Sequence, residues 1–135
     1  MPTVQTKYLG QLRTEATHVA SGNTLITDAP VDNHGRGEAF SPTDLTSASL
    51  GSCMMTIMGI VAEREGIDLT GTTFAVTKSM AATPRRISAI EVAFQVKSAV
   101  PLTQDQQEKL KRAALTCPVA LSLHPDIRQE VTFQF

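Results

Sequence analysis

Apolar and polar residues alternate in short runs at the start of the chain. Val4 to Leu9, Leu12 to Val19 and Thr24 to Thr27 read as three strands, with Ser21-Gly22-Asn23 turning into the third. An antiparallel meander is the simplest assembly. The next stretch, Ala29 to Phe40 (APVDNHGRGEAF), has one proline, two glycines and little period, so it is a loop of a length at which function is a reasonable expectation.

At Ser41-Pro42-Thr43-Asp44 the pattern becomes helical. Ser41 can cap, Pro42 suits the first helical position, and Asp44 can complete a capping box with Ser41, so a helix is predicted to begin at Pro42. Leu45, Ala48, Leu50, Met54, Met55, Ile57, Met58, Ile60 and Val61 leave it almost no polar face until Glu63, Arg64 and Glu65, and Gly66 is a natural stop. Such a helix is predicted to be central and buried. At about 24 residues it would span roughly 36 Å, long for the core of so small a domain. The excess of apolar face points to a second copy of the chain as cover, although a tightly wrapped sheet would serve equally.

Period two returns from Thr72 to Met80 and from Ile87 to Val96, with Phe74, Val76, Ile90, Val92, Phe94 and Val96 on one face and Thr83-Pro84-Arg85-Arg86 as the hairpin connection. Thr103 with Gln106 opens a second helix, amphipathic through Leu102, Leu110, Ala114 and Leu115. Cys117 closes it. Pro118 suits the first position of a short helix over VALSL, and Glu130 to Phe135 is a last strand.

Composition narrows the class. The 135 residues fit one domain, 1–135, and 41% hydrophobic with 19% charged residues is an ordinary globular balance. A net charge of -1 with scattered signs lacks the basic stripe of a nucleic-acid binder, so no nucleic acid is expected as a partner. Met1 to Gly10 has no apolar leader core, and no run is expected to approach the ~18 apolar residues of a membrane span, which makes the cytoplasm the default compartment.

Candidate chemistry rests on two cysteines, Cys53 and Cys117, too few for the common all-cysteine zinc site and too far apart for a CxxC motif. By composition alone two inert core thiols are the simpler reading. Cys53 lies about three turns into the long helix, where low dielectric would raise its pKa, so a reactive role demands a nearby cation. Arg13 and Arg36 are the candidates. Cys117, just before Pro118, would cap the short helix, where free N–H groups and the helix dipole favour a thiolate. A packed structural cysteine fits that position equally. His18, His34 and His124 have no ligand spacing, so no metal is expected, and neither phosphate-loop nor serine-hydrolase motifs occur.

The order of features, a three-stranded start, a glycine-bearing loop, SPTDLTSASLGSC opening a long apolar helix, a hairpin and then ALTCPV, resembles the OsmC/Ohr family over nearly the whole chain. Its most specific elements are Pro42 with Leu45 ahead of Cys53, Gly66-Ile67 after the helix, and Cys117-Pro118-Val119. The resemblance implies an α+β fold with antiparallel sheets around a long central helix, two chains intertwining as a homodimer. It further implies a thiol-dependent peroxidase reducing organic, and to some extent hydrogen, peroxides in oxidative-stress defence. No bound cofactor is implied, only an external dithiol or lipoyl-type reductant.

By that resemblance Cys53 matches the peroxidatic and Cys117 the resolving cysteine, and Arg13 matches the activating arginine, with Arg36 its competitor. The family's glutamate after the helix-opening proline is replaced by Thr43, which cannot form its charged pair. Asp44 or Glu38 are the carboxylates at hand to substitute. The departure places the chain in a divergent branch and leaves a second expectation open: a non-catalytic dimeric protein that binds a ligand or senses redox state.

Overall fold

The computed structural model describes residues 1–135. Its residues gather into two compact units, Met1–Thr46 and Ser47–Phe135. In the first, β1 (Val4–Gly10), β2 (Arg13–His18) and β3 (Thr24–Asp28) form the meander that alternation predicts, paired antiparallel in sequence order. The loop after β3 folds back on itself. Gly37 N–H donates to Ala29 O at 3.2 Å, Asp28 N–H donates to Phe40 O at 3.0 Å, and a 3-10 turn occupies Val31–Asn33. A Cβ on Gly35 would stand 1.8 Å from Ala29 O, so only glycine permits this closure.

The long helix α1 runs Pro42–Arg64. Its start is local chemistry: Ser41 N–H donates to Asp44 Oδ2 at 2.9 Å and Asp44 N–H to Ser41 Oγ at 3.1 Å, the reciprocal box that satisfies two donors otherwise left open. One expectation needs correcting. The helix has a mean hydropathy of 1.6 over an 18-residue window, long and apolar enough to cross a membrane by composition alone. Its Leu50–Met54–Met58–Ala62 stripe, however, is packed in the core of the second unit. Burial is confined to that stripe and the adjoining Ser47 and Gly51, and Ile60 is 42% exposed. Within one chain, therefore, the helix is covered on one side rather than all round.

In the second unit β4 (Thr73–Ala82) and β5 (Arg85–Gln95) pair antiparallel, placing Phe74 opposite Phe94 and Val76 opposite Val92. The chain then passes through α2 (Gln104–Leu115) and α3 (Pro118–Ser122) to β6 (Arg128–Gln134). That last strand pairs parallel to β5, the one departure from the antiparallel expectation. Its cause is connectivity, since a return through two helices delivers the strand in the same direction as the one it left. Thr103 and Gln106 make the predicted capping box at the start of α2.

The core joins the α1 stripe to Ile90, Val92, Phe94, Leu110 and Ala114. Burying each large aliphatic or aromatic side chain there contributes about 1.5–3 kcal/mol. The closest approach is at Gly51, where an added Cβ would lie 2.8 Å from Phe74 Cε2 and 2.9 Å from Val76 Cγ2. Gly51→Ala should therefore overpack the seam and cost about 1–3 kcal/mol. At Gly59, where nothing stands within 4 Å, alanine should instead add up to about 1 kcal/mol through helix propensity. Urea denaturation of the two variants checks the contrast; equal effects would contradict the packing described.

Candidate functional site

Cys53 sits on the flank of α1 beside the buried stripe, partly exposed and packed against the core. Cys117 is placed by the junction of the two short helices. Thr116 ends α2, and Cys117, with φ -66° and ψ 154°, leaves the helical region to become the N-cap of α3, with Pro118 at the first helical position. Its Sγ accepts the Ala120 N–H at 3.3 Å. The side chain is 0% exposed.

These two positions, distant in sequence, come near each other: Cys53 packs against the core cluster that contains Cys117, both are free thiols, and Cys53 acts on the ionisation of Cys117. Burial pushes the Cys117 thiol above its ordinary pKa. The N–H groups of Ala120 and Val119 oppose this, while the neighbouring Cys53 pushes it further up. Cys117 is thus kept as a protonated thiol beside its neighbour.

In the first unit the structure brings together a different cluster. Arg13 Nε donates to Asp28 Oδ1 and Arg13 Nη2 to Asp28 Oδ2, each at 2.7 Å, a bidentate pair whose planar geometry suits guanidinium and carboxylate. Asp28 is 0% exposed and Arg13 22%. Glu38 adds a backbone N–H to Asp28 Oδ2 at 3.2 Å, and its own carboxylate stands 3.8 Å from Arg13 Nη2. Arg36 reaches Gln11 Oε1 on the exposed side, and its charge also acts on Asp28. Asp44 is engaged with the Ser41 N–H at the helix start, and Thr43 Oγ1 lies 3.2 Å from Ser41 Oγ. His18 meets Ser21 Oγ, and His124 accepts the Asp126 N–H.

The carboxylate that sequence reasoning missed is Asp28. Glu38 and Asp44 attract attention because they flank the helix-opening proline, whereas Asp28 closes a strand. The signal was nevertheless present: the β2–β3 turn sets a register in which Arg13 faces Asp28 directly, an opposite-charge cross-strand pair.

The Arg13 hydrogen bonds hold the Asp28 carboxyl below its ordinary pKa despite the opposing effect of burial. A depressed folded-state value adds stability above the unfolded carboxylate pKa, and that stability is lost as pH falls through the folded value. Asp28→Asn should therefore be less stable than the parent at neutral pH, with the gap narrowing in acid. Thermal melts across an acid pH series measure this; a gap independent of pH would contradict it.

The sequence profile of the OsmC-like protein family matches residues 35–132. None of the curated proteins matches the chain. Among solved structures, one from Psychrobacter arcticus, provisionally described as an osmotic stress induced and detoxification response protein, is 53% identical, covers 99% of this chain and 96% of its own, and has a TM-score of 0.94. An organic hydroperoxide resistance protein OsmC from Legionella pneumophila is 21% identical over 100% of this chain and 98% of its own, with a TM-score of 0.72. An organic hydroperoxide resistance protein from Elizabethkingia anophelis is 14% identical over 99% and 96%, with a TM-score of 0.74. At the two lower identities the likeness is one of fold. The profile match spans well over half the chain and includes both cysteines and the whole of the long helix: the chain belongs to the OsmC-like protein family.

Proposed function

We propose that this protein is a thiol-dependent peroxidase that reduces organic hydroperoxides, acting in the cytoplasm in defence against oxidative stress. The observation that carries this reading is the nearness of two free thiols, Cys53 partly exposed and Cys117 enclosed, in a member of the OsmC-like family. Cys53, as thiolate, attacks one oxygen of the O–O bond; the alcohol leaves and Cys53 becomes a sulfenic acid. The Cys117 thiol condenses with it, water leaves, and the resulting disulfide is returned to two thiols by an external dithiol. Apolar contact from Ile57, one helical turn after Cys53 and only partly buried, favours an organic hydroperoxide over hydrogen peroxide, because the larger substrate alone gains from it.

In this reading Arg13 supplies the activating positive charge, with Arg36 the alternative. Arg13 is favoured because Asp28 fixes its orientation through two short hydrogen bonds, whereas Arg36 reaches an exposed glutamine. Asp28 then does for Arg13 what a glutamate at position 43 would otherwise do.

The functional unit in this proposal is a homodimer. Val4, Tyr8 and Leu25 share one face of the β1–β2–β3 sheet and are exposed, and Ile60 on α1 is exposed as well. Apolar area of this kind on two elements is the usual mark of an interface between subunits.

A redox-sensing protein without turnover is the second reading, favoured by Thr43, whose hydroxyl brings no charge to the helix start. One assay separates the two. Reduced protein given cumene hydroperoxide and dihydrolipoamide should turn over and sediment at twice the mass of one chain. Cys53→Ser should abolish turnover, and Arg13→Ala should lower kcat/KM by about 10²–10³-fold, the usual loss when one electrostatic stabiliser is removed. Stoichiometric oxidation without turnover would establish the sensor; undiminished turnover by Cys53→Ser would refute both readings.

A further inference from the structure

Alternation along β6 puts Gln129, Val131 and Phe133 on its inner, half-buried face and leaves Arg128, Glu130 and Thr132 outside. Val131 and Phe133 pack against the core, and Gln129 stands in register with the buried Ile90 of β5. A glutamine on such a face gives up hydrogen bonds to water and needs a partner within the protein. It has one: Gln129 Nε2 donates to Ala120 O at 3.0 Å.

That carbonyl belongs to α3, the five-residue helix whose N-cap is Cys117. Leu123, with φ -76° and ψ 150°, leaves the helical region, so the chain turns away before a further N–H can close on Ala120 O. Gln129 supplies the donor from β6. Both peptide groups of Ala120 are then engaged. Its N–H donates to Cys117 Sγ at 3.3 Å, and its carbonyl shares a peptide plane with the Leu121 N–H, which donates to Cys117 O at 3.1 Å. A helix this short does not hold its shape unaided, so the clamp from β6 bears directly on where the Cys117 sulfur points.

On the thiol-peroxidase reading above, we propose that Gln129 is a positioning residue for Cys117: its amide pins Ala120 O, and Ala120 in turn aims Cys117 Sγ at the oxidised Cys53. Gln129 acts through the α3 backbone and not on the peroxide. The step it serves is the condensation, in which Cys117 Sγ bonds to Cys53 Sγ as the S–OH bond of the sulfenic acid breaks, and the departing hydroxide takes the Cys117 proton to leave as water. A displacement of about 1 Å is enough to slow such a step substantially. Oxidation of Cys53 by peroxide comes earlier and makes no use of the Cys117 sulfur.

The test follows one turnover of the reduced full chain with one equivalent of cumene hydroperoxide, in the presence of dimedone to trap sulfenic acid, with peptides mapped by mass spectrometry. Gln129→Met keeps the length of the side chain and suits the half-buried face, but has no N–H to give. Gln129→Lys restores a donor of similar reach. The methionine variant should lose its Cys53 thiol as fast as the parent yet form the disulfide at least about fivefold more slowly, with dimedone accumulating on Cys53. The lysine variant should recover the parent's rate of disulfide formation, a rescue that side-chain packing alone would not produce.

Disulfide formation as fast in Gln129→Met as in the parent, or equally slow in both variants, overturns the proposal while leaving the peroxidase reading intact. A parent that forms neither the dimedone adduct nor the disulfide overturns both.

Discussion

The nearness of Cys53 and Cys117 in the core of the second unit is the feature on which the proposed chemistry depends. Each sulfur is held by a different device. Cys53 rides on a helix anchored in the core by Leu50, Met54 and Met58, brought close to β4 because Gly51 has no side chain to obstruct it. Cys117 is held by the break between α2 and α3, where Pro118 starts a new helix and forces the preceding residue into an extended conformation. Neither device is catalytic by itself. Together they bring two free thiols near each other.

Burial gives the two thiols different parts. An enclosed thiol whose pKa is raised resists ionisation and also resists direct attack from solvent. Cys117 is thereby shielded from direct reaction with species in solvent. The same trade of desolvation against pairing governs the first unit, where Asp28 is wholly buried and remains a carboxylate because Arg13 meets both of its oxygens. A buried charge of this kind is costly to strand, so removing one partner is expected to do more harm than the pair's net contribution would suggest.

What could be read from the sequence was mostly what local chemistry decides. The capping boxes at Ser41–Asp44 and Thr103–Gln106, the helix start at Pro42 and the N-cap role of Cys117 depend on residues within a turn of one another, and the structure has all of them. The strands were legible through alternation, to within a residue or two at most ends. Non-local pairing was not. The parallel docking of β6 on β5 depends on the path of a long connection that periodicity does not record. Likewise the nearness of Cys53 and Cys117 joins two elements whose separation in sequence says nothing of their distance. Asp28 stands between these cases: the turn at Ser21–Asn23 fixes the register that pairs it with Arg13, but attention to the helix start drew the reading towards Asp44 and Glu38.

The coupling of the two sulfurs can be measured without substrate or reductant. The Cys117 thiol should be titrated, by its rate of alkylation against pH, in the parent protein and in Cys53→Ser. If Cys53 acts on its neighbour as described, removing its thiol should lower the Cys117 pKa towards, but not to, its ordinary value, because burial still raises it. An unchanged Cys117 pKa in the variant would contradict the account.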